Sequence, residues 1–107
     1  MRIRAADYIA RLLKENGYED VFMLTGGGAM FLNNGLGTSK LKCHFMLHEQ
    51  ALAIAAEGYA RTYGKPAVVC VTTGPGGTNA LTGVLGAYLD SIPMLVISGQ
   101  VKNPTTL

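Results

Sequence analysis

Five consecutive apolar residues, AVVCV at 67–71, run straight into TTGPGG without a single polar interruption. A strand with one wet face alternates apolar and polar side chains. A strand that does not alternate is covered on both faces, which is the mark of a parallel sheet held between layers of helix. VFML at 21–24 and MLVIS at 94–98 repeat the pattern, whereas KCHFM at 42–46 is more mixed and belongs nearer an edge. Helical patterns separate these runs. Ala5, Tyr8, Ile9, Leu12 and Leu13 fall on one helix face, and Gly17 supplies a stop. A short helical segment begins near Ala29, and residues 48–63 form a helix ended by Gly64-Lys65-Pro66. A further helix spans 78–89, and Pro93 stops the chain before the last strand. Strands alternating with helices imply right-handed crossovers and a parallel sheet. The expected fold is therefore α/β, a three-layer α/β/α domain without repeats or linkers.

A chain of 107 residues can bury one core. Only 15% of its residues are charged, against roughly 25% in typical soluble domains. That shortage implies a large face buried against something else, either a second chain or further polypeptide. The net charge of +2 is spread over scattered basic residues, so nucleic-acid binding has no support. No apolar run is long enough to span a bilayer, and the N-terminus lacks the core of a signal sequence. Cys43 and Cys70 lie in strand-like apolar runs, as reduced core cysteines of a cytoplasmic protein do.

Ligands of such sheets sit beyond the carboxyl ends of the strands, where Gly26 to Gly28, Glu49 and Gly74 to Gly77 converge. GPGGTN opens a helix, so its amides could cradle an anion. It matches neither the dinucleotide fingerprint, since Asn79 replaces the third glycine, nor a P-loop. Its glycines could equally serve tight turns alone. In the helix that follows, Ala80, Gly83 and Ala87 form one stripe and Leu81, Val84, Leu85, Tyr88 and Leu89 cover most of the rest. Glycine inside a helix costs about 1 kcal/mol relative to alanine, so Gly83 and Gly86 imply the close approach of another backbone. That marks either an interface helix or ordinary core.

Glu57 stands four residues before Arg61, the spacing of a surface ion pair. Glu49 has no such partner at 45, 52 or 53. It is either a first-turn acid favoured by the helix dipole or a carboxyl set among Phe45, Leu52 and Ala53. A carboxyl among apolar neighbours can stay protonated at neutral pH and donate to a ligand nitrogen.

HEQALAIAAEGYAR, VTTGPGGTNALTGVLGAYLDSIPMLVISGQV and VFMLTGGGAMFLN together resemble the pyrimidine-binding domain of thiamine diphosphate enzymes, most closely the acetolactate synthase branch. The resemblance runs over nearly the whole chain and makes residues 1–107 an N-terminal thiamine diphosphate (pyrimidine) binding domain, truncated before its last strands. It implies that Glu49 is the catalytic acid. The matching glutamate of the family hydrogen-bonds N1′ of the aminopyrimidine, so that the ring's exocyclic nitrogen can take the proton from the thiazolium C2. The cofactor contacts it implies are Thr25, Gly26, Gly27, Glu49, Thr73, Gly74, Pro75, Gly76 and Asn79, with Gly27, Gly28 and Ala29 as the substrate loop. It implies no metal ligand in this chain, because the family holds the diphosphate and Mg²⁺ in a separate domain whose Gly-Asp-Gly motif is not found here. The expected partners are a second subunit of the same protein and a small 2-keto acid.

Departures from simple pyruvate decarboxylases narrow the outcome. Those enzymes place an acid where Gly27 stands and paired histidines where Thr72 and Thr73 stand. Without these proton donors the carbanion passes to a second carbonyl, so the expected activity is carboligation by an acetolactate synthase-like transferase or lyase. Thr25, in place of the usual proline, leaves the acceptor open. The chain alone is expected to be inactive, which carboligation by the purified chain would contradict. The alternative is a noncatalytic α/β interaction or nucleotide-binding module.

Overall fold

The computed structural model describes residues 2–102. Its elements are α1 (Ala5–Glu15), β1 (Asp20–Met23), a single 3₁₀ turn (Gly27–Ala29), α2 (Met30–Gly37), β2 (Lys42–Phe45), α3 (Glu49–Tyr63), β3 (Ala67–Val71), α4 (Pro75–Leu89) and β4 (Met94–Ser98). The four strands form one parallel sheet in the order β2-β1-β3-β4.

Neighbouring side chains on a strand point to opposite faces, and here each face has its own core. Phe22, Ala67, Val69 and Val71 meet Leu52, Ala53, Ala56, Ala60 and Ala80 of α3 and α4. Val21, Met23, Val68 and Cys70 turn the other way, onto Ala10, Leu13, Leu36 and Leu41 on the α1 and α2 side. The three layers follow directly from the apolar runs, and β3 is buried along its whole length. Because crossovers keep one hand, reversing direction after β2 carries α3 to the face opposite α2.

β4 departs from expectation. It is an edge strand whose Leu95 and Val96 are 38% and 39% exposed, although its sequence is as apolar as that of β3. An apolar run identifies a strand meant to be covered; the run itself does not say whether the cover lies in the same hundred residues. β2 takes the other edge, as its mixed composition implies. Its His44 ring donates to Asp20 Oδ1 at 2.7 Å, and the Tyr59 hydroxyl donates to Oδ2 at 3.1 Å. Burial pushes the Asp20 carboxyl up, but the bonds from His44 and Tyr59 outweigh it and hold the group below its usual range.

α4 begins at Pro75, three residues before the helical pattern becomes visible in sequence. Pro75 is pre-set for the first helical position, and Gly74, at φ 62°, turns the chain into it. What reads as a glycine-rich loop is thus the first turn of a helix. α3 is capped by the His48 ring, which accepts from the Gln50 N–H at 3.1 Å. Gly64 ends it in the left-handed region at φ 65°.

The ion pair read from spacing is present: Arg61 Nε donates to Glu57 Oε1 at 3.0 Å. The same guanidinium also reaches Asp90 at the end of α4, tying the two helices together. Both cysteines are free, and burial, with a smaller contribution from Cys43, pushes the Cys70 thiol up to about 11. The small-residue stripe of α4, Gly76, Ala80, Gly83 and Ala87, is buried. Its Leu81, Leu85, Tyr88 and Leu89 are exposed, so within the described residues the helix is covered on one side only. No helix among the described residues is long and apolar enough to cross a membrane.

Candidate functional site

The chain leaves β1 for β2 on one side and reaches β3 on the other, so the sheet's connections change direction between β1 and β3. At such a point the loops beyond the carboxyl ends diverge and leave a crevice. Two glycine segments border it, one after β1 and one opening α4, and α3 places Glu49 above it.

The walls meet at Thr72. A Cβ on Gly26 would lie 2.5 Å from Thr72 Cβ, and one on Gly76 would lie 2.6 Å from Thr72 Cγ2. A Cβ on Gly28 would lie 2.4 Å from Thr73 Cγ2, and one on Gly99 would lie 2.3 Å from the Gly28 carbonyl oxygen. These four glycines are there because the ends of β1, β3, β4 and α4 approach too closely for any side chain. Gly27 differs: a Cβ there meets nothing within 4 Å. The peptide groups of the first loop are ordered by Asn33, whose Oδ1 accepts from the Gly26 N–H at 3.2 Å.

Glu49 is the first residue of α3 and half-buried. Its Oε2 accepts from Asn79 Nδ2 at 3.2 Å. Its Oε1 lies 3.6 Å from the point where Gly76 would carry a Cβ, and it has no hydrogen-bond partner among the described residues. One oxygen is thus fixed and the other is turned toward a wall without a side chain. The apolar enclosure expected around this carboxyl is only half supplied. Leu52 and Ala53 are fully buried, but Phe45 is 60% exposed, because β2 ends there at the edge of the sheet.

Of the residues singled out by sequence, Glu49, Asn79, Gly76, Gly26 and Gly28 are brought together around Thr72 and Thr73. Thr25 is exposed at the rim, and Gly74 and Pro75 form the outer end of α4. Gly27, Gly28 and Ala29 line a cleft of about 420 Å³ with Met30, Phe31 and Gln100 on its other sides. Sequence reading found Asn79 without its partner, because Glu49 lies 30 residues away on another helix. It missed the parts played by Asn33 and Gly99, which carry no local pattern. The crevice thus combines three features. An acid is oriented at its edge, a glycine leaves its wall flat, and open space lies over Gly27.

Residues 3–107 match the family described as thiamine pyrophosphate enzyme, N-terminal TPP binding domain. The chain is 45% identical over 102 residues to the acetolactate synthase large subunit of Buchnera aphidicola, covering 94% of this chain and 18% of that protein. It is 44% identical over 103 residues to the large subunit from Haemophilus influenzae, again 18% of that protein and 95% of this chain. With the isozyme 3 large subunit of Escherichia coli it shares 43% identity over 100 residues, 92% of this chain and 17% of that one. The chain therefore spans less than a fifth of the length of the curated relatives it matches.

Proposed function

The chain belongs to the thiamine pyrophosphate enzymes as an N-terminal cofactor-binding domain, and from this premise we propose that it forms the pyrimidine half of a carboligase active site resembling that of acetolactate synthase. The observation that carries the proposal is Glu49, clamped through Oε2 by Asn79 and facing a glycine-walled crevice with Oε1.

When bound, thiamine diphosphate supplies an electron sink for the decarboxylation of a 2-keto acid. The residues here act on its ring. Asn79 donates to Oε2, which leaves Oε1 as the oxygen that holds or releases the proton exchanged with a ring nitrogen. Gly76 lets a flat ring lie close to the carboxyl. Gly27 and Gly28 leave room for substrate above the loop, and with Thr72 and Thr73 they place no strong acid or imidazole beside it. The similarity to acetolactate synthase large subunits supports transfer of the acyl carbanion to a second carbonyl rather than its release as an aldehyde. The described residues contain no cluster of His, Cys, Asp and Glu able to hold a metal, so this reading assigns Mg²⁺ and the diphosphate to ligands outside them. Two free cysteines support a reducing, cytoplasmic setting.

The exposed ridge of α4, with Tyr88 at 77% and Leu85 at 54% exposure, supports a second subunit of the same protein as the missing cover. In the full-length protein, Leu85→Asp is expected to lower the sedimentation coefficient by separating subunits; an unchanged sedimentation coefficient would assign the ridge to another contact.

The decisive assay takes the full-length protein carrying this domain, with thiamine diphosphate, Mg²⁺ and pyruvate. Release of CO₂ together with a product in which two carbonyl units are joined is the expected result. CO₂ with an equal amount of acetaldehyde would make it a decarboxylase, and no cofactor binding at all would reject the reading.

A further inference from the structure

Thr72 is the residue about which the crevice is built, and its side chain contains an unexplained group. AVVCV would continue naturally into valine, which has the same branched shape. Threonine stands there instead, and its hydroxyl oxygen is buried without a hydrogen-bond partner among the described residues. A buried hydroxyl left unpaired destabilises the fold, and buried polar groups in folded proteins are nearly always satisfied. The methyl and Cβ explain the fit against Gly26 and Gly76. They do not explain the oxygen.

Its position does. The oxygen lies 2.8 Å from the Cβ point of Gly26 and 3.0 Å from that of Gly28, so it faces the peptide groups of the first glycine loop. The strand that carries it is well held. The Gly99 N–H donates to the Val71 carbonyl at 2.9 Å, and Ser98 Oγ donates to the Thr72 carbonyl at 3.4 Å. The loop is more lightly held, by Asn33 at 3.2 Å and by the Ala29 N–H on the Gly26 carbonyl at 3.0 Å. The peptide groups of this loop are therefore the nearest backbone partners that a shift of the loop would offer the hydroxyl.

We propose that Thr72 is a positioning residue of the cofactor site: its hydroxyl bonds the loop at residues 26–28 when the crevice fills, and so locks the loop against α4 and Glu49. This rests on the thiamine diphosphate reading above. Pairing this hydroxyl with the loop satisfies a buried polar group, so the bond adds to cofactor affinity.

The test compares Thr72→Val and Thr72→Ser in the full-length protein, using thiamine diphosphate with Mg²⁺ as the probe. Thr72→Val keeps the shape and removes the oxygen. It should unfold at or above the wild-type temperature when unloaded, yet bind the cofactor roughly tenfold more weakly. Thr72→Ser, which keeps the oxygen, should restore binding to near wild type. Wild-type affinity in Thr72→Val would show the hydroxyl to be idle and overturn the proposal. Equal weakening in both variants would reduce Thr72 to a steric wedge and overturn it too. A wild-type protein that does not bind thiamine diphosphate would remove the underlying reading as well, which separates the two failures.

Discussion

Glu49→Gln in the full-length protein is expected to slow cofactor-dependent C2 proton exchange by about a hundredfold or more, the scale of a lost general acid or base, while the fold is kept. The geometry says why the loss should be large and local. Glutamine can still accept from Asn79 Nδ2 through its amide oxygen, which replaces the 3.2 Å bond to Oε2. Its amide nitrogen then occupies the place of Oε1, beside Gly76, where it can neither hold nor release the proton in question. Asn79→Ala is the informative companion. It leaves the carboxyl but frees it to rotate, so exchange should fall by roughly tenfold, the value of one charge-assisted hydrogen bond. Wild-type exchange in Glu49→Gln would sink the assignment of this carboxyl. Equal losses in both variants would mean that orientation, and not proton transfer, is what Glu49 supplies.

The sequence makes the scaffold far easier to read than the site. The unbroken apolar runs of β1 and β3 announce a covered parallel sheet because burial on two faces leaves no polar alternation to confuse the pattern. β4 carries the same signal and lies at an edge, since composition records that a surface is to be covered but not by what. The glycines mark the crevice, yet they look alike in sequence although their reasons differ. Gly26, Gly28 and Gly76 clear Thr72 and Thr73, Gly74 supplies a positive φ, and Gly27 faces open space. Glu49 stands out because it lacks a partner at helical spacing. Asn79, its actual partner, becomes visible only when α3 and α4 are laid side by side. Contacts between elements far apart in the chain leave no local trace, and the site consists mostly of such contacts.

Gly83 and Gly86 of α4 make the same point in a form that stability measurements can settle. Both sit inside a helix where alanine is favoured by about 1 kcal/mol, and sequence reading gives both the same reason, a closely approaching backbone. The structure separates them. A Cβ on Gly83 would lie 2.5 Å from Ala53 Cβ and 2.9 Å from the Ile54 amide nitrogen, both fixed in α3. A Cβ on Gly86 would lie 3.2 Å from Glu57 Oε2, the far end of a side chain that can move. Overpacking against a rigid neighbour costs about 1–3 kcal/mol, more than the helix gains. Gly83→Ala should therefore destabilise the fold by up to about 2 kcal/mol once the two terms are combined, read as a lower urea midpoint at unchanged slope. Gly86→Ala should be neutral or stabilising by up to about 1 kcal/mol. If Gly83→Ala raised the midpoint as Gly86→Ala does, α3 and α4 would not be packed as tightly as Ala53 and Gly83 indicate. The placement of Glu49 opposite Asn79 would then lose its support, because those two helices alone hold the pair together.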